Sequence, residues 1–488
     1  MSALHLSFCQ KKQENGGHGL RVSRPRNQYK EFSPLKPTNQ QNQSTNKTFF
    51  IKTLGCKVNQ CESEAIRNTL EASGFTDGSE GDADVVIVNT CTVTGKAAMQ
   101  SRQAVRRSIR ANPGARVLVT GCHAQTAPDE LAAIDGVHLV VGTRDKHRIP
   151  EKVLESINGK DAPDAPVVAV SDVTHATRFA PLPGVAHGSR TRPFLKIQDG
   201  CNAFCTYCIV PHARGRSRSL PVDQVLAQIQ QLGQLGYREV VLTGIHIGCY
   251  GMDLAPATDL KQLLDRIRGN GHIERIRISS IEPRELTEPI IELASTEARC
   301  SGRLCAHFHI PLQSGDDDVL KRMHRPYDAG YFRQLVLRIV KRIPHAAIGV
   351  DTLIGFPGET DRSFETTYRL IQELPVAYLH VFPFSARKGT PAFSFSDPIP
   401  SEVIKARCSR MRQLGNRKRR DFYARHMGQT LTVLVEESRN KPDGRLKGFS
   451  DNYISIRFDG PDEWFNTFQE VKVSRVSDEG GPEGEAQC

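Results

Sequence analysis

Three cysteines stand close together in the segment GCNAFCTYC, which follows the apolar stretch PFLKIQD. Cys201, Cys205 and Cys208, here called the loop cysteines, have the spacing C-x3-C-x2-C, and the aromatic Tyr207 precedes the last of them. Three thiolates without a fourth suit a 4Fe-4S cluster with one open iron, whereas a structural zinc site normally closes with four ligands. A zinc site completed by His212 is the alternative. The spacing therefore predicts an iron-sulfur site with an open coordination position.

A second set of cysteines ends three separate apolar runs. TFFIKTLGC ends at Cys56, ADVVIVNTC at Cys91 and ARVLVTGC at Cys122. We call these the strand-end cysteines, because each run is short, rich in Val, Ile, Leu or Phe, and predicts a buried strand followed by a helix. Ligands of open α/β sheets bind outside the carboxyl ends of the strands, so the three distant thiols are predicted to converge on a second cluster. Three buried structural cysteines are the alternative.

The elements that must position these cysteines predict an α/β protein. Residues 48–150 alternate strand-like and helix-like segments, which indicates a parallel-sheet domain. Residues 191–425 contain six such repeats and predict an incomplete (β/α)6 barrel. Residues 426–476 hold short strands without room for long helices, which predicts a small all-β domain. The remaining segments are expected to be a disordered tail, a linker and a terminal tail: residues 1–47, 151–190 and 477–488.

Composition narrows the class of protein. The chain has 488 residues, 13 cysteines and a formal charge of +11 at pH 7. No apolar run approaches the roughly 20 residues of a membrane helix, and the start lacks an apolar leader, so we expect a soluble cytoplasmic protein without a membrane partner. In that compartment cysteines favour metal or redox chemistry over disulfides. The positive charge favours a nucleic-acid partner, with a merely soluble basic protein as the alternative.

A basic helix is predicted near the end of the barrel region. The segment KARCSRMRQLGNRKRRDFYAR, residues 405–425, concentrates Lys and Arg beside two aromatic residues. A solvated helix face usually mixes its charges more evenly. Basic side chains on phosphates supply affinity that depends on salt and little on sequence. We predict that RNA contacts four consecutive residues: Arg417, Lys418, Arg419 and Arg420.

Taken together, the motifs resemble those of the radical S-adenosylmethionine (SAM) methylthiotransferase family. GCNAFCTYC is similar to the superfamily motif, and the resemblance extends over about residues 48–476. It includes TLGCKVNQCES, NTCTVTG, TGCHAQ, HIPLQSGDDDVLKRMHRPY and DTLIGFPGET, and it ends in a region like the TRAM RNA-binding domain. The cysteine motifs are most similar to the branch that acts on threonylcarbamoyladenosine in tRNA. Sister branches act on isopentenyladenosine in tRNA or on a ribosomal protein.

The resemblance implies an enzyme with a radical SAM barrel and two 4Fe-4S clusters. The loop cysteines would hold a cluster that binds SAM, and the strand-end cysteines an auxiliary cluster. One SAM methylates sulfur held at the auxiliary cluster, and a second is reductively cleaved to a 5′-deoxyadenosyl radical. The radical abstracts hydrogen from carbon 2 of the modified adenosine beside the anticodon, and a methylthio group takes its place. An unactivated aromatic C–H has no acidic proton, which agrees with a radical route.

Further residues are predicted to bind SAM. LTGIHIG follows a barrel strand at the level where the resemblance places the methionine part of SAM. The predicted SAM-binding residues are Tyr207, Thr243, Gly244, His246, Gln313 and Gly355. The alternatives are a structural polar role for His246, a helix cap near Gln313 and a tight turn at Gly355.

The partners follow from the same resemblance. The expected substrate is the tRNA anticodon loop, whose single-stranded bases are easily extruded. The expected electron donor is of the flavodoxin or ferredoxin type, and we expect a monomer. Cys61, five residues after Cys56, is assigned no cluster role; the alternative is a spare ligand or a near neighbour of the auxiliary cluster. An alternative from another class is a non-catalytic iron-sulfur protein that binds RNA without cleaving SAM.

Overall fold

The computed structural model of the chain describes residues 47–158, 165–180, 188, 190–300, 302–477 and 481–487. Within this part the fold is α/β with a small all-β region at its C-terminal end, as the sequence predicts. The predicted N-terminal tail lies outside the described residues except for Lys47. No helix of the described part combines the length and the apolar character that crossing a membrane requires.

A six-stranded parallel sheet forms the first part of the fold. Its strands are β1 Thr48–Thr53, β2 Thr76–Asp77, β3 Val85–Thr90, β4 Arg116–Gly121, β5 Leu139–Val141 and β6 Val167–Ala169. The helices of this region are α1 Lys57–Ala72, α2 Gly95–Ala111, α3 Cys122–Thr126, α4 Pro128–Ala132 and α5 Ile149–Asn158. The strand order in space is β2-β1-β3-β4-β5-β6. The carboxyl ends of β1, β3 and β4 therefore lie side by side at one edge of the sheet.

The central strand β3 shows why the apolar runs are uninterrupted. All of its residues are buried, since helices cover both faces of the sheet. Val85 and Ile87 pack on one face, in the same core as Ile66 of α1, and Val86 and Val88 pack on the other. Burial on both faces gives a parallel strand a continuous apolar sequence instead of an alternating one.

Six further parallel strands form the incomplete barrel. The strands of this region are β7 Phe194–Lys196, β8 Gln198–Asp199, β9 Arg218–Ser219, β10 Glu239–Thr243, β11 Arg275–Ile278, β12 His307–His309, β13 Ala347–Ile354 and β14 Tyr378–Pro383. The helices are α6 Val210–Arg214, α7 Val222–Gln234, α8 Leu260–Asn270, α9 Glu288–Cys300, α10 Asp317–Arg322, α11 Ala329–Arg342 and α12 Asp361–Glu373. The barrel order is β7-β10-β11-β12-β13-β14, with isolated bridges joining β11 to β12, while β8 and β9 form a separate antiparallel pair.

The register of the barrel strands decides which side chains face the interior. Phe194 of β7, Val241 of β10 and Arg277 of β11 lie side by side on the inner face. Successive side chains of a strand point to opposite faces, so Leu195 and Leu242 point outward into the core shared with the helices.

A closed five-stranded barrel follows the long helix α13 Ser401–Ala424. Its strands are β15 Thr430–Val435, β16 Leu446–Ser450, β17 Ser455–Phe458, β18 Phe468–Ser477 and β19 Gly481–Ala486. Met411 and Leu414 of α13 pack into the core of the (β/α)6 barrel, and Phe422 packs into the core of the all-β barrel. Arg277 also donates to the carbonyl oxygen of Ser450 at 2.9 Å. These contacts fix the second barrel against the first.

Two segments expected to be irregular contain regular structure. The predicted linker over residues 151–190 includes most of α5 and the edge strand β6. The predicted tail over residues 477–488 includes β19, which pairs with β17 and β18 and completes the small barrel. β19 reads GPEGEA and β6 has three residues, so neither has the apolar alternation that predicts a strand. Each strand forms by pairing with neighbouring strands: β6 pairs with β5, and β19 pairs with β17 and β18.

Candidate active site

The loop cysteines lie in the segment that follows β8. Gly200 has a φ of 74°, and a Cβ there would lie 2.0 Å from the carbonyl oxygen of Arg216, so only glycine fits. The backbone N–H of Cys201 donates to the carbonyl oxygen of Gly215 at 3.0 Å. The turn and this hydrogen bond place the first loop cysteine at the carboxyl end of the barrel.

The three loop thiols form one electrostatic group. Burial raises the pKa of Cys208 to about 12, and the nearby Cys205 and Cys201 add to the rise. Two side-chain nitrogens reach the group: His246 Nδ1 lies 3.3 Å from Cys201 Sγ, and Arg325 Nη1 donates to Cys205 Sγ at 3.3 Å. A metal cluster needs thiolates, and hydrogen-bond donors of this kind stabilise them. Arg325 was not identified from the sequence.

His246, which the sequence predicts at this site, is held from several sides. Its backbone N–H donates to Gln198 Oε1 at 2.7 Å, and its Nε2 pairs with Glu285 Oε1 at 2.5 Å. Burial opposes the charged imidazole, but hydrogen bonds with Cys201, Cys249 and Glu285 raise the pKa of His246 above its usual range. His246 therefore faces the sulfur of a loop cysteine with one ring nitrogen and Glu285 with the other.

Two other predicted SAM-binding residues share this end of the barrel. Thr243 ends β10 and is buried, and a Cβ on the following Gly244 would lie 2.9 Å from Gln198 Oε1. Tyr207 lies between two loop cysteines and contacts Phe356 edge-on, with ring centroids 6.5 Å apart. Their contact with SAM stays a prediction, and Gln198 joins them as a residue that the sequence did not suggest.

Gln313 and Gly355 serve the backbone where the structure describes them. Gln313 has a φ of 67°, and its N–H donates to the carbonyl oxygen of Asp351 at 2.8 Å. Gly355 has a φ of 84°, and a Cβ there would lie 2.4 Å from Ile404 of α13. The close approach of this helix favours the turn alternative for Gly355. A role of either residue in SAM binding stays a prediction.

The spacing of ligand atoms argues against the zinc alternative. Tetrahedral zinc with bonds of about 2.3 Å brings its sulfur ligands to within roughly 4 Å of each other. In the described part of the chain, only two sets of three ligand atoms lie within 4.8 Å of one another: His246, Cys249 and Glu285, and His309, Asp351 and His380. His212 is exposed and belongs to neither set. Cys201, Cys205 and Cys208 do not form such a set with His212 in the described part of the chain.

The strand-end cysteines meet at the carboxyl edge of the N-terminal sheet. Cys56 precedes α1, Cys91 follows β3 and Cys122 begins α3. A Cβ on Gly55 would lie 2.8 Å from the Cβ of Cys91, so the first two segments are in contact. Burial raises the pKa of Cys91 to about 11, and the nearby thiols of Cys122 and Cys56 add to the rise. The structure therefore brings the three thiols to one place, with the donor set that a second 4Fe-4S cluster needs.

Arg214 connects the two groups of cysteines. It ends α6, six residues after Cys208, and its side chain is fully buried. Its Nε donates to Cys122 Sγ at 3.3 Å. Its Nη2 donates to Asn59 Oδ1 at 2.6 Å and to Glu62 Oε2 at 3.0 Å. A residue from the segment of the loop cysteines thus donates directly to a strand-end thiol.

Arg214 belongs to a cluster of charges that we call the buried ion network. Its members are Glu62, Lys146, Lys196, Asp199, Arg214 and Arg218. Glu62 accepts from Lys196 Nζ at 2.6 Å and pairs with Lys146 and Arg214. Burial disfavours the carboxylate of Glu62, but these three cations hold its pKa well below its usual range. The network joins the parallel sheet to the barrel through two carboxylates that are shared among four cations.

Cys61 lies apart from the strand-end cysteines. Its Sγ donates to the carbonyl oxygen of Phe194 at 3.3 Å, on the side of α1 that faces β7. Burial raises its pKa to about 11. This placement favours neither of the two cluster roles considered for Cys61.

The four predicted RNA-binding residues lie on the C-terminal half of α13. Arg417 donates to the hydroxyl of Tyr368 at 2.7 Å, and Lys418 donates to the carbonyl oxygen of Leu374 at 2.7 Å. Both side chains therefore tie α13 to the end of α12. Arg419 and Arg420 are exposed on the same helix. RNA contact by these four residues stays a prediction.

Comparison with known proteins identifies two families in the chain. Residues 48–142 match the uncharacterized protein family UPF0004, and residues 195–371 match the radical SAM superfamily. The first match contains all strand-end cysteines and the second all loop cysteines. The chain is similar to a solved structure of the radical S-adenosylmethionine methyltransferase TsrM from Kitasatospora setae with cobalamin and a 4Fe-4S cluster bound. The TM-score is 0.52 at 16% identity, over 71% of this chain and 77% of that one, which supports the barrel fold alone.

Curated relatives extend the likeness over nearly the whole chain. The threonylcarbamoyladenosine tRNA methylthiotransferase MtaB of Bacillus subtilis is 40% identical, over 90% of this chain and 96% of the relative. The protein of the same name from Aquifex aeolicus is 35% identical, over 84% and 96%. A tRNA-2-methylthio-N(6)-dimethylallyladenosine synthase of Clostridium botulinum is 32% identical, over 88% and 95%. With a radical SAM barrel, an open set of three loop thiols and relatives at this identity, the chain is an enzyme that belongs to the radical SAM methylthiotransferase family.

Proposed function

We propose that this enzyme adds a methylthio group to carbon 2 of threonylcarbamoyladenosine beside the anticodon of tRNA, using SAM and two 4Fe-4S clusters. The observation that carries the proposal is the pair of three-cysteine sites that Arg214 links. The superfamily motif accounts only for the loop cysteines, so the strand-end cysteines require a second task, and sulfur insertion supplies one. The name shared by the relatives with 40% and 35% identity supports threonylcarbamoyladenosine as the substrate.

In this proposal the loop cysteines hold the cluster that binds SAM. When bound to these three thiolates, a 4Fe-4S cluster would offer an open iron for SAM and the electron for its reductive cleavage. Arg325 donates to the sulfur of Cys205 and compensates negative charge on its thiolate, and His246 Nδ1 lies 3.3 Å from the sulfur of Cys201. The apolar core on the outer face of the barrel holds β10, which ends three residues before His246. Tyr207, Thr243, Gly244 and the other predicted residues would position SAM.

The strand-end cysteines would hold the auxiliary cluster beside the substrate. Cys56 is exposed, whereas Cys91 and Cys122 are buried. One ligand therefore lies on the accessible side and two anchor the cluster to the sheet. Arg214 donates to Cys122 and fixes the edge of the sheet relative to the loop cysteines. In this proposal, sulfur held at the strand-end cysteines and the radical formed at the loop cysteines would act on the same adenosine.

Binding of tRNA would use the C-terminal part of the enzyme. We propose that residues 426–476 act as the TRAM-like RNA-binding domain after a radical SAM domain over residues 191–425 and an N-terminal domain over residues 48–150. Arg419 and Arg420 are exposed, whereas Arg417 and Lys418 also hold α13 on α12. Replacing Arg419 and Arg420 with Ala is expected to weaken tRNA binding and to reduce its dependence on salt, as measured in a salt titration. Equal salt slopes for both proteins would contradict this role.

The remaining partners are also proposals. We propose an electron donor of the flavodoxin or ferredoxin type. Such donors have low reduction potentials, about −400 mV for plant-type ferredoxins. We propose a monomer, which sedimentation analysis tests, and a cytoplasmic location, where tRNA is the substrate.

Mass spectrometry of tRNA nucleosides tests the function directly. Cells that lack the gene are expected to lose 2-methylthio-threonylcarbamoyladenosine and to accumulate the unthiolated nucleoside. The wild-type gene and Cys300→Ala, which changes an exposed thiol at the end of α9, are expected to restore the product. Cys205→Ala is expected not to restore it. An unchanged nucleoside profile would overturn the tRNA substrate and favour the ribosomal-protein alternative, whereas loss of the isopentenyl product would favour the other tRNA branch.

A further inference from the structure

A cavity with excess positive charge lies inside the barrel, next to the strand-end cysteines. It has a volume of about 240 Å³ and is bordered by the first residue of α1, by the inner face of β7, β10 and β11, and by the all-β barrel. Lys57 lines it together with Phe194, Val241 and Arg277. Because Lys57 follows Cys56 directly in the chain, a ligand of this cavity lies beside a proposed cluster ligand.

The charges that line the cavity do not balance. It is lined by four cations and two carboxylates: Lys57, Arg190, Arg192 and Arg277, with Glu436 and Glu437. Glu436 already accepts from Arg192 at 2.9 Å, and Glu437 is exposed at the rim. Arg277 pairs with Glu239 at 2.8 Å, but Glu239 is shared with Arg275. The cavity therefore has more positive charge than the chain itself neutralises.

Two of the lining cations, Lys57 and Arg190, form no ion pair with a described residue. Lys57 also makes no hydrogen bond in the described part of the chain, although Asp351 attracts it. Arg277 and Arg192, which line the same cavity, repel it. A partly buried ammonium in this position is poorly solvated and is stabilised by an anion that enters the cavity.

The size of the cavity limits the anion. Cavities for whole drug-sized ligands measure about 300–1,000 Å³, so this one suits a side group of a nucleotide and not the complete nucleotide. The aromatic faces of Phe194 and Tyr453 and the aliphatic Val241 line its remaining walls. The walls therefore suit a short group that carries a carboxylate and some apolar surface.

We propose that this cavity binds the threonylcarbamoyl group of the substrate and that Lys57 pairs with its carboxylate. The inference rests on the proposed function and deepens it, because it makes Lys57 a residue that determines specificity. The isopentenyl group of the sister substrate has no charge, and binding it here would bury the Lys57 ammonium without a partner. The enzyme then selects the threonylcarbamoyl substrate because Lys57 attracts its carboxylate. It disfavours the isopentenyl substrate because that group would desolvate the Lys57 ammonium without pairing with it.

The test uses three anticodon stem-loop RNAs and the anaerobically reconstituted holoenzyme. One RNA carries threonylcarbamoyladenosine, one its methyl ester, which removes only the charge, and one isopentenyladenosine. Binding is measured by fluorescence anisotropy and methylthio product by mass spectrometry. Loss of a charge-assisted contact is expected to weaken binding of the ester to the wild-type enzyme by about 10- to 100-fold. This comparison needs no variant and therefore does not depend on folding of a mutant.

Variants of Lys57 show whether it is the partner. Lys57→Met is expected to weaken binding of the threonylcarbamoyladenosine RNA about as much as esterification does. It is expected to leave binding of the ester unchanged, since two changes to one contact are not additive. Lys57→Arg is expected to keep discrimination between acid and ester. Lys152→Met, on α5 and outside the cavity, is the matched control and is expected to bind all RNAs as the wild type does. Iron analysis of each variant monitors the neighbouring cluster site.

Two results would overturn the proposal. Equal affinity of the wild-type enzyme for acid and ester would show that no cation reads the carboxylate. If Lys57→Met loses the same affinity for the acid RNA and for the ester RNA, the role of Lys57 is structural. If the wild-type enzyme instead modifies only the isopentenyladenosine RNA, the proposed function itself fails, and this outcome is distinguishable from the first two.

Discussion

The two groups of cysteines differ in how the chain assembles them. The loop cysteines fall within eight residues of one loop, whereas the strand-end cysteines come from three neighbouring strands of a sheet, between positions 56 and 122. A loop needs only a turn, such as that at Gly200, to bring its thiols together. The second group needs a complete parallel sheet, because its members meet only where β1, β3 and β4 end. The first group is a property of sequence spacing and the second of topology.

The comparison also shows what the two groups share. Each receives a cationic donor from outside its own segment: Arg325 reaches Cys205, and Arg214 reaches Cys122. Donors of this kind lower the cost of holding negative sulfur in a buried place. Arg214 follows the loop cysteines in the chain but donates to a strand-end cysteine, so the position of one group depends on that of the other.

The largest expected effect separates the tasks of the two groups. Cys205→Ala should abolish reductive SAM cleavage, because it removes a ligand of the cluster that binds SAM. Cys91→Ala should spare the cleavage and abolish methylthio transfer, because it removes a ligand of the auxiliary cluster. The measurement is 5′-deoxyadenosine release alongside methylthio product under reducing, anaerobic conditions, with Cys300→Ala as the control. The same phenotype in both variants would remove the division of labour.

Iron content provides a second test of whether the two groups of cysteines hold separate clusters. If each group holds one 4Fe-4S cluster, anaerobic reconstitution should load about eight irons per chain. Replacing all loop cysteines, or all strand-end cysteines, with Ala should leave about four in each case. A wild-type value near four, or loss of all iron in either variant, would show that the two sites are not independent clusters. Iron and acid-labile sulfide analysis provides the number.

The two groups of cysteines could be predicted from different features of the sequence. The spacing of Cys201, Cys205 and Cys208 is itself the signal, and strand ends in a parallel sheet predict that distant cysteines meet. The six barrel strands were also predictable, because their apolar outer faces leave a clear pattern. The α/β class and the small all-β region followed from the same patterns.

What the sequence could not provide depends on three-dimensional pairing. Arg214 stands in the segment PHARGR like any surface arginine, and only the folded chain shows that Glu62 and Cys122 surround it. Lys57 similarly reads as an ordinary first residue of a helix, yet it lines the barrel interior. The strand β19 lacks apolar alternation and forms because β17 and β18 offer free edges. Contacts between distant segments have no periodicity, so they leave no local pattern to detect.

Removal of Arg214 tests the link between the two groups. Arg214→Ala leaves Glu62 with fewer cations and Cys122 without its donor, and breaking a buried ion pair costs about 3–5 kcal/mol. We expect a lower denaturant midpoint and weaker retention of the auxiliary cluster, with the cluster on the loop cysteines retained. Arg214→Lys keeps the charge but not the planar fork, so it should recover only part of the stability. Unchanged unfolding and an unchanged cluster spectrum in Arg214→Ala would remove the proposed link.

The smallest expected effect concerns Cys61 and decides whether this residue belongs to the ligands of the auxiliary cluster. Cys61 is five residues from Cys56, but its thiol donates to the carbonyl oxygen of Phe194 on the side of α1 that faces β7. Cys61→Ala should therefore keep the full iron content and methylthio transfer, and it should lose only about 1 kcal/mol of stability, as is typical of a point mutation. The matched comparison is Cys91→Ala, which removes a thiol of the same kind from the meeting point of the strands. If Cys61→Ala loses iron as Cys91→Ala does, ligand choice follows proximity in the chain and not the edge of the sheet.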